Sequence, residues 1–115
     1  MRSIFDGHLD LALFALAHNR DMTESAAVSN RREQGMADAL ERGRGAVSLP
    51  DMRRGRVAVC QSSLAARVNR EIQPVSRLDL DFGTQAMAYA NAQGQLAYYR
   101  VLEEMGEVTL IGTVE

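Results

Sequence analysis

A single cysteine, two histidines and no lysine set this chain apart by what it lacks. One thiol, Cys60, excludes an internal disulfide and fits a reducing compartment, so a cytoplasmic location is the expectation. A cysteine nucleophile needs a base beside it, and no Cys-His pairing is readable, so Cys60 is expected as a buried strand thiol. With lysine absent, all 13 positive charges are arginines, and they are scattered. The densest group, Arg53-Arg54-Gly55-Arg56, is too short for a phosphate-binding surface and reads as a solvated turn, although Arg53 and Arg54 have the charge to face a substrate carboxylate. A net charge of -2 and a pI near 5.7 argue against nucleic acid or an anionic membrane surface as a partner. Long apolar runs are missing too. The longest, Leu11 to Ala17, falls far short of the ~20 residues of a membrane span. Asp6, His8 and Asp10 break up any secretory pattern at the N-terminus.

What remains is ordinary globular composition, 46% hydrophobic and 24% charged over 115 residues, enough for one domain with a modest core. Residues 3–10 read as a strand and 11–18 as a short apolar helix that meets Asn19. Residues 20–30 are polar and patternless, a loop. Residues 31–42 hold helix formers with only Met36, Ala39 and Leu40 as a stripe, which predicts a weak helix ended by Gly43 and Gly45. Residues 47–49 read as a short strand followed by one helical turn from Pro50. Residues 56–64 form a strand whose centre, Val57 to Cys60, is apolar on both faces, as in a strand covered on both sides.

Residues 65–82, broken by Pro74 and carrying Asp79 and Asp81, read as loop. The strongest helix follows: Gly83-Thr84 caps it, and Ala88, Ala92, Leu96, Tyr99 and Leu102 make one continuous face. Tyr89, Tyr98 and Tyr99 read as packing residues and Gly106 as the C-terminal stop. Val108 to Ile111 predicts a further strand, and Thr113 to Glu115 the start of another helix. The alternation predicts an α/β fold with a parallel sheet.

One short motif carries chemistry. In Asp6-Gly7-His8-Leu9-Asp10, residues two apart on a strand point to one side, so Asp6, His8 and Asp10 form a polar row. Its apolar neighbours predict burial, and burying an imidazole and two carboxylates without partners is expensive. A divalent metal would neutralise the row; His nitrogen and Asp oxygen both bind zinc at roughly 2.0–2.2 Å. The bland alternative is a His-Asp pair satisfied by backbone groups and by each other. His18, at a helix end, reads as a surface or capping residue.

The same pentapeptide resembles the D-G-H-x-D opening of the membrane (renal) dipeptidase family of zinc peptidases. Val47-Ser48-Leu49-Pro50-Asp51-Met52-Arg53-Arg54-Gly55 is similar to that family's D-L-P-R-L-x-x-G passage. Val57-Ala58-Val59-Cys60-Gln61-Ser62 resembles its G-x-V-G-x-Q-x-x-S strand, and Gln95-Leu96-Ala97-Tyr98-Tyr99-Arg100 resembles a helix of its bacterial members. The resemblance spans nearly the whole chain in the family's order. It implies a (β/α)8 TIM-type barrel with two zinc ions bridged by a glutamate, hydrolysing dipeptides and commonly dimeric. On that resemblance, His8 and Asp10 would ligate one zinc, and no catalytic residue is assigned.

Such a barrel typically takes about 250 residues, and this chain has 115. The expectation is therefore residues 1–115 as the N-terminal fragment of one truncated hydrolase barrel, inactive by itself. The family's bridging glutamate and second-zinc histidines come from later strands, and Glu115 is a poor substitute for the bridge. Two alternatives stay open: a small non-catalytic α/β binding or interaction domain, and another metal-dependent amidohydrolase on the same barrel.

Overall fold

Two runs that begin on strand-forming residues, Ile4–Leu9 (β1) and Val57–Ser62 (β2), pair in parallel. The structure, a computed structural model, describes residues 2–71 and 81–113. The chain divides into two compact units, Met1–Ser63 and Leu64–Glu115. Both are mixed α/β with a small parallel sheet.

A parallel pair needs a long crossover, and in the first unit three helices supply it: Leu11–His18 (α1), Ala26–Arg32 (α2) and Leu49–Arg54 (α3). The register runs Ile4↔Val57, Phe5↔Val59, Asp6↔Cys60 and Leu9↔Ser62, with irregularities between Ile4 and Phe5 and between Asp6 and Leu9, where Gly7 and His8 lie. Helix α1 occupies the predicted span. It buries Leu11, Ala12, Ala15 and His18, one face at helical spacing. Asn19 closes it at φ 54°, a left-handed conformation asparagine tolerates.

The crossover departs from the sequence reading in three places. A helix, α2, starts inside the predicted loop and runs past its end to Arg32, because Ser25 caps it, its Oγ accepting the Val28 N–H. The helix predicted over 31–42 stops at Arg32, and Gly35 turns the chain at φ 81°. Its predicted stripe is left mostly uncovered: Met36 is 46% exposed and Leu40 86%, with Ala39 half-buried. The strand predicted at 47–49 does not form either; Ser48 caps α3 instead, accepting the Asp51 N–H at 3.2 Å, with Pro50 in the first turn.

The predicted burial of both strands is also corrected. In β1 only Leu9 is buried, while Ile4 and Phe5 are 51% and 66% exposed, and no residue of β2 is buried. A sheet of two strands keeps both outer edges open, and the core collects at the carboxyl end of β1 and along α1, from Leu9, Leu11, Ala12, Ala15, Met22 and Leu49.

In the second unit the predicted loop contains two short strands, Arg67–Val68 (β3) and Asp81–Phe82 (β4), paired in parallel. Residues 72–80, including Pro74 and Asp79, lie outside the described residues. The long helix, Gln85–Glu104 (α4), begins at the predicted cap, Thr84, whose hydroxyl accepts the Met87 N–H at 3.2 Å. Ala88, Tyr99 and Leu102 are buried as predicted, but Ala92 and Leu96 are only half-buried. Gln95 takes the central buried position because its amide accepts the Ala65 N–H at 2.9 Å and donates to the Ala65 carbonyl at 2.7 Å. Tyr89 is 66% exposed, so it is not a packing residue here.

Gly106, at φ 76°, ends α4. Its N–H donates to Glu103 O and the Glu107 N–H to Leu102 O, both at 2.9 Å, the paired return bonds of a Schellman stop. The strand predicted at 108–111 is absent; the Leu110 N–H donates to the Glu103 carboxylate at 2.8 Å instead. Val114 and Glu115 lie outside the described residues. No described helix is long and apolar enough to cross a membrane.

Candidate functional site

At the carboxyl end of β1 the polar row is broken up and partly rebuilt. Because the ladder is irregular between Asp6 and Leu9, strict two-residue alternation does not hold there. Asp6 turns inward on its own chain, its Oδ1 accepting the His8 N–H at 3.0 Å. His8 and Asp10 do come together, Nε2 to Oδ2 at 3.2 Å. The imidazole is 74% exposed and the Asp10 side chain 28%, so the predicted burial of this pair is corrected.

Asp10 stands at the N-cap of α1, where aspartate ordinarily accepts a helix N–H. Here its side chain makes no capping bond. One oxygen faces His8 and the other, Oδ1, accepts the Ser63 hydroxyl. Ser63 directly follows β2, and its N–H donates to the Leu9 carbonyl at 2.8 Å. The parallel pairing of β1 and β2 thus gathers His8, Asp10 and Ser63 at one end of the sheet. Ser63 was not legible as a site residue: the sequence reading placed it inside the strand 56–64, and its position just past the end of β2 comes from the structure.

This order of contacts limits the chemistry. A serine nucleophile needs the imidazole on its hydroxyl, whereas here the carboxylate stands between the two, so no serine relay is built. Metal ligation is compatible with the donor set. Zinc–nitrogen and zinc–oxygen bonds are each about 2.0–2.2 Å, and donors 3.2 Å apart are close enough to share one ion. Among the described residues no group of three or more His, Cys, Asp or Glu side chains gathers around a common point.

The other predicted residues lie as follows. Cys60 is half-buried rather than buried, its Sγ 3.4 Å from Ser62 Oγ. His18 is 3% exposed, which corrects the surface reading; its ring lies 5.7 Å from Phe14, and its Nε2 is 3.7 Å from a Glu41 oxygen. Arg53 and Arg54 are exposed as expected, and Arg54 pairs with Asp51.

Not all arginines are solvated. Arg20 and Arg42 are 7% and 9% exposed and grip Glu33, itself 5% exposed. Arg20 donates through Nε and Nη2 to the two Glu33 oxygens at 2.7 and 2.9 Å, Arg42 Nη1 adds a bond at 3.2 Å, and the Gly43 N–H a fourth at 2.7 Å. The Arg20 contact first, then the Gly43 bond against the opposing cost of burial, lowers the Glu33 carboxyl to about 2. Arg42 also donates to the His18 carbonyl at 2.6 Å and to Asp38. Every Glu33 oxygen is engaged from within, so this cluster fastens the 20–43 segment and offers no site.

Compared with protein-family models, curated proteins and solved structures, the chain matches none.

Proposed function

We propose that His8 and Asp10 are two ligands of a zinc ion in a metal-dependent amide hydrolase of the dipeptidase type, and that β1, α1 and β2 belong to a (β/α)8 barrel. The observation that carries this reading is the convergence of His8 Nε2 and Asp10 Oδ2 at 3.2 Å, at the carboxyl end of a parallel strand. In barrels of this kind that end holds the active site. The resemblance of Asp6 to Asp10 and of residues 47–62 to the renal dipeptidases supports the same reading and supplies the substrate class, dipeptides.

The chain's own residues have separable tasks. His8 presents a ring nitrogen to the ion, and the Asp6 carboxylate, through the His8 N–H, holds the backbone that aims it. Asp10 presents one oxygen and brings the negative charge that favours a cation. When bound, zinc supplies a water acidified for attack and polarises the scissile carbonyl.

A second reading, a non-catalytic interaction domain, is favoured by the exposed apolar side chains of the sheet, Ile4, Phe5 and Val59. Calorimetric titration of the 115-residue chain with zinc separates the two. The metal reading expects one binding event that His8→Ala and Asp10→Ala each abolish. No binding, or binding indifferent to both substitutions, supports the interaction domain and contradicts the proposal.

A further inference from the structure

We infer that Ser63 is a positioning residue for the Asp10 ligand, an inference that rests on the metal reading above. A carboxylate at a helix N-cap has a ready partner in the N–H groups of the first turn, and Asp10 leaves them alone. What draws it away is the Ser63 hydroxyl on Oδ1, with His8 on Oδ2. A carboxylate held through one oxygen has less freedom to rotate, and the other oxygen is then biased toward one direction. That direction is toward the His8 ring nitrogen.

The pin is itself well founded. Ser63 is half-buried, its backbone N–H is locked to the Leu9 carbonyl at 2.8 Å, and its hydroxyl lies 3.4 Å from that same carbonyl. The hydroxyl therefore sits over the last bond of the β1–β2 ladder, on the strand next to the one that carries the ligands. Ligating carboxylates are commonly oriented by such an outer hydrogen bond. Ser63 touches neither the ion nor substrate in this role. It reduces the freedom that Asp10 would otherwise lose on binding metal, so its effect is on affinity.

The test is zinc affinity, with zinc(II) alone competed against a chromophoric chelator, for wild type, Ser63→Ala, Ser63→Thr and Ser63→Val. The expectation is a loss of about tenfold to a hundredfold for the alanine and valine variants, with threonine, which restores the hydroxyl, close to wild type. Threonine and valine have the same shape, so their comparison decides the matter even if alanine disturbs folding. Equal affinities for threonine and valine would overturn the inference while leaving the metal reading intact. Zinc binding by wild type that ignores His8→Ala and Asp10→Ala overturns both.

Discussion

Replacing Glu33 with glutamine tests the physical account of the first unit most severely. The carboxylate accepts four N–H bonds, from Arg20 Nε and Nη2, Arg42 Nη1 and the Gly43 backbone. Glutamine keeps one acceptor oxygen and turns the other position into a donor facing donors, while the charge that neutralises two buried guanidiniums disappears. Removing one partner of a buried pair costs about 3–5 kcal/mol, and the retained oxygen places Glu33→Gln near the lower end, about 3 kcal/mol. Against a total stability of about 5–15 kcal/mol that is a large fraction. With a urea slope of about 1–2 kcal/mol/M, the unfolding midpoint falls by about 2 M.

The effect has a pH signature. The folded Glu33 carboxyl is lowered to about 2 by the Arg20 contact. A depressed carboxylate contributes stability fully above its unfolded value, about 4.3, and loses it as pH falls toward the folded one. That contribution is on the order of 2 kcal/mol after solvent screening. The gap between wild type and Glu33→Gln should therefore narrow as pH drops from about 4.3 toward 2, because protonated Glu33 resembles glutamine. A gap below about 0.5 kcal/mol at neutral pH, the level of an ordinary surface change, or one that keeps its size into acid, would refute the reasoning.

The Asp51 carboxylate serves two helix starts, accepting the Ala26 N–H of α2 at 2.8 Å and the Ser48 hydroxyl at the cap of α3. Asp51→Ala should lower the midpoint of chemical denaturation more than Ser25→Ala, which touches α2 alone; equal shifts would contradict the shared role. The Asp51 carboxyl is also lowered, by Ser48 first and Ala26 next, so the cost of Asp51→Ala should shrink in acid. Gly106→Ala forces a side chain into the left-handed region at φ 76°. It should destabilise α4 by about 1–2 kcal/mol, read as an earlier helix melt by circular dichroism, without altering zinc affinity.

The elements that local patterning decides were legible. Helix α1 and helix α4 follow apolar spacing, Thr84 and Gly106 mark the start and end of α4, and β1 and β2 each begin on apolar residues. The crossover was not, because it is held by charge rather than by periodicity. Residues 31–42 contain good helix formers, yet Glu33 is claimed by Arg20, thirteen positions earlier in the chain. No windowed pattern registers such a contact. Gln95 was left out of the predicted face for a related reason: apolar spacing does not register a polar side chain that is buried by pairing with a backbone, here at Ala65. At the candidate site, the His8–Asp10 partnership was readable from two-residue spacing. The diversion of Asp6 to the backbone and the arrival of Ser63 depend on a strand irregularity and a parallel pairing that spacing alone does not encode.

The central claim is that His8 and Asp10 bind a metal ion, and histidine ring nitrogen NMR tests it most directly. With only His8 and His18 in the chain, the spectrum contains two imidazoles. On addition of zinc, the His8 Nε2 resonance should move to the metal-bound range, in wild type but not in Asp10→Ala, while the buried His18 ring stays where it was. A His8 resonance that does not respond to zinc, or a response confined to His18, would contradict the account.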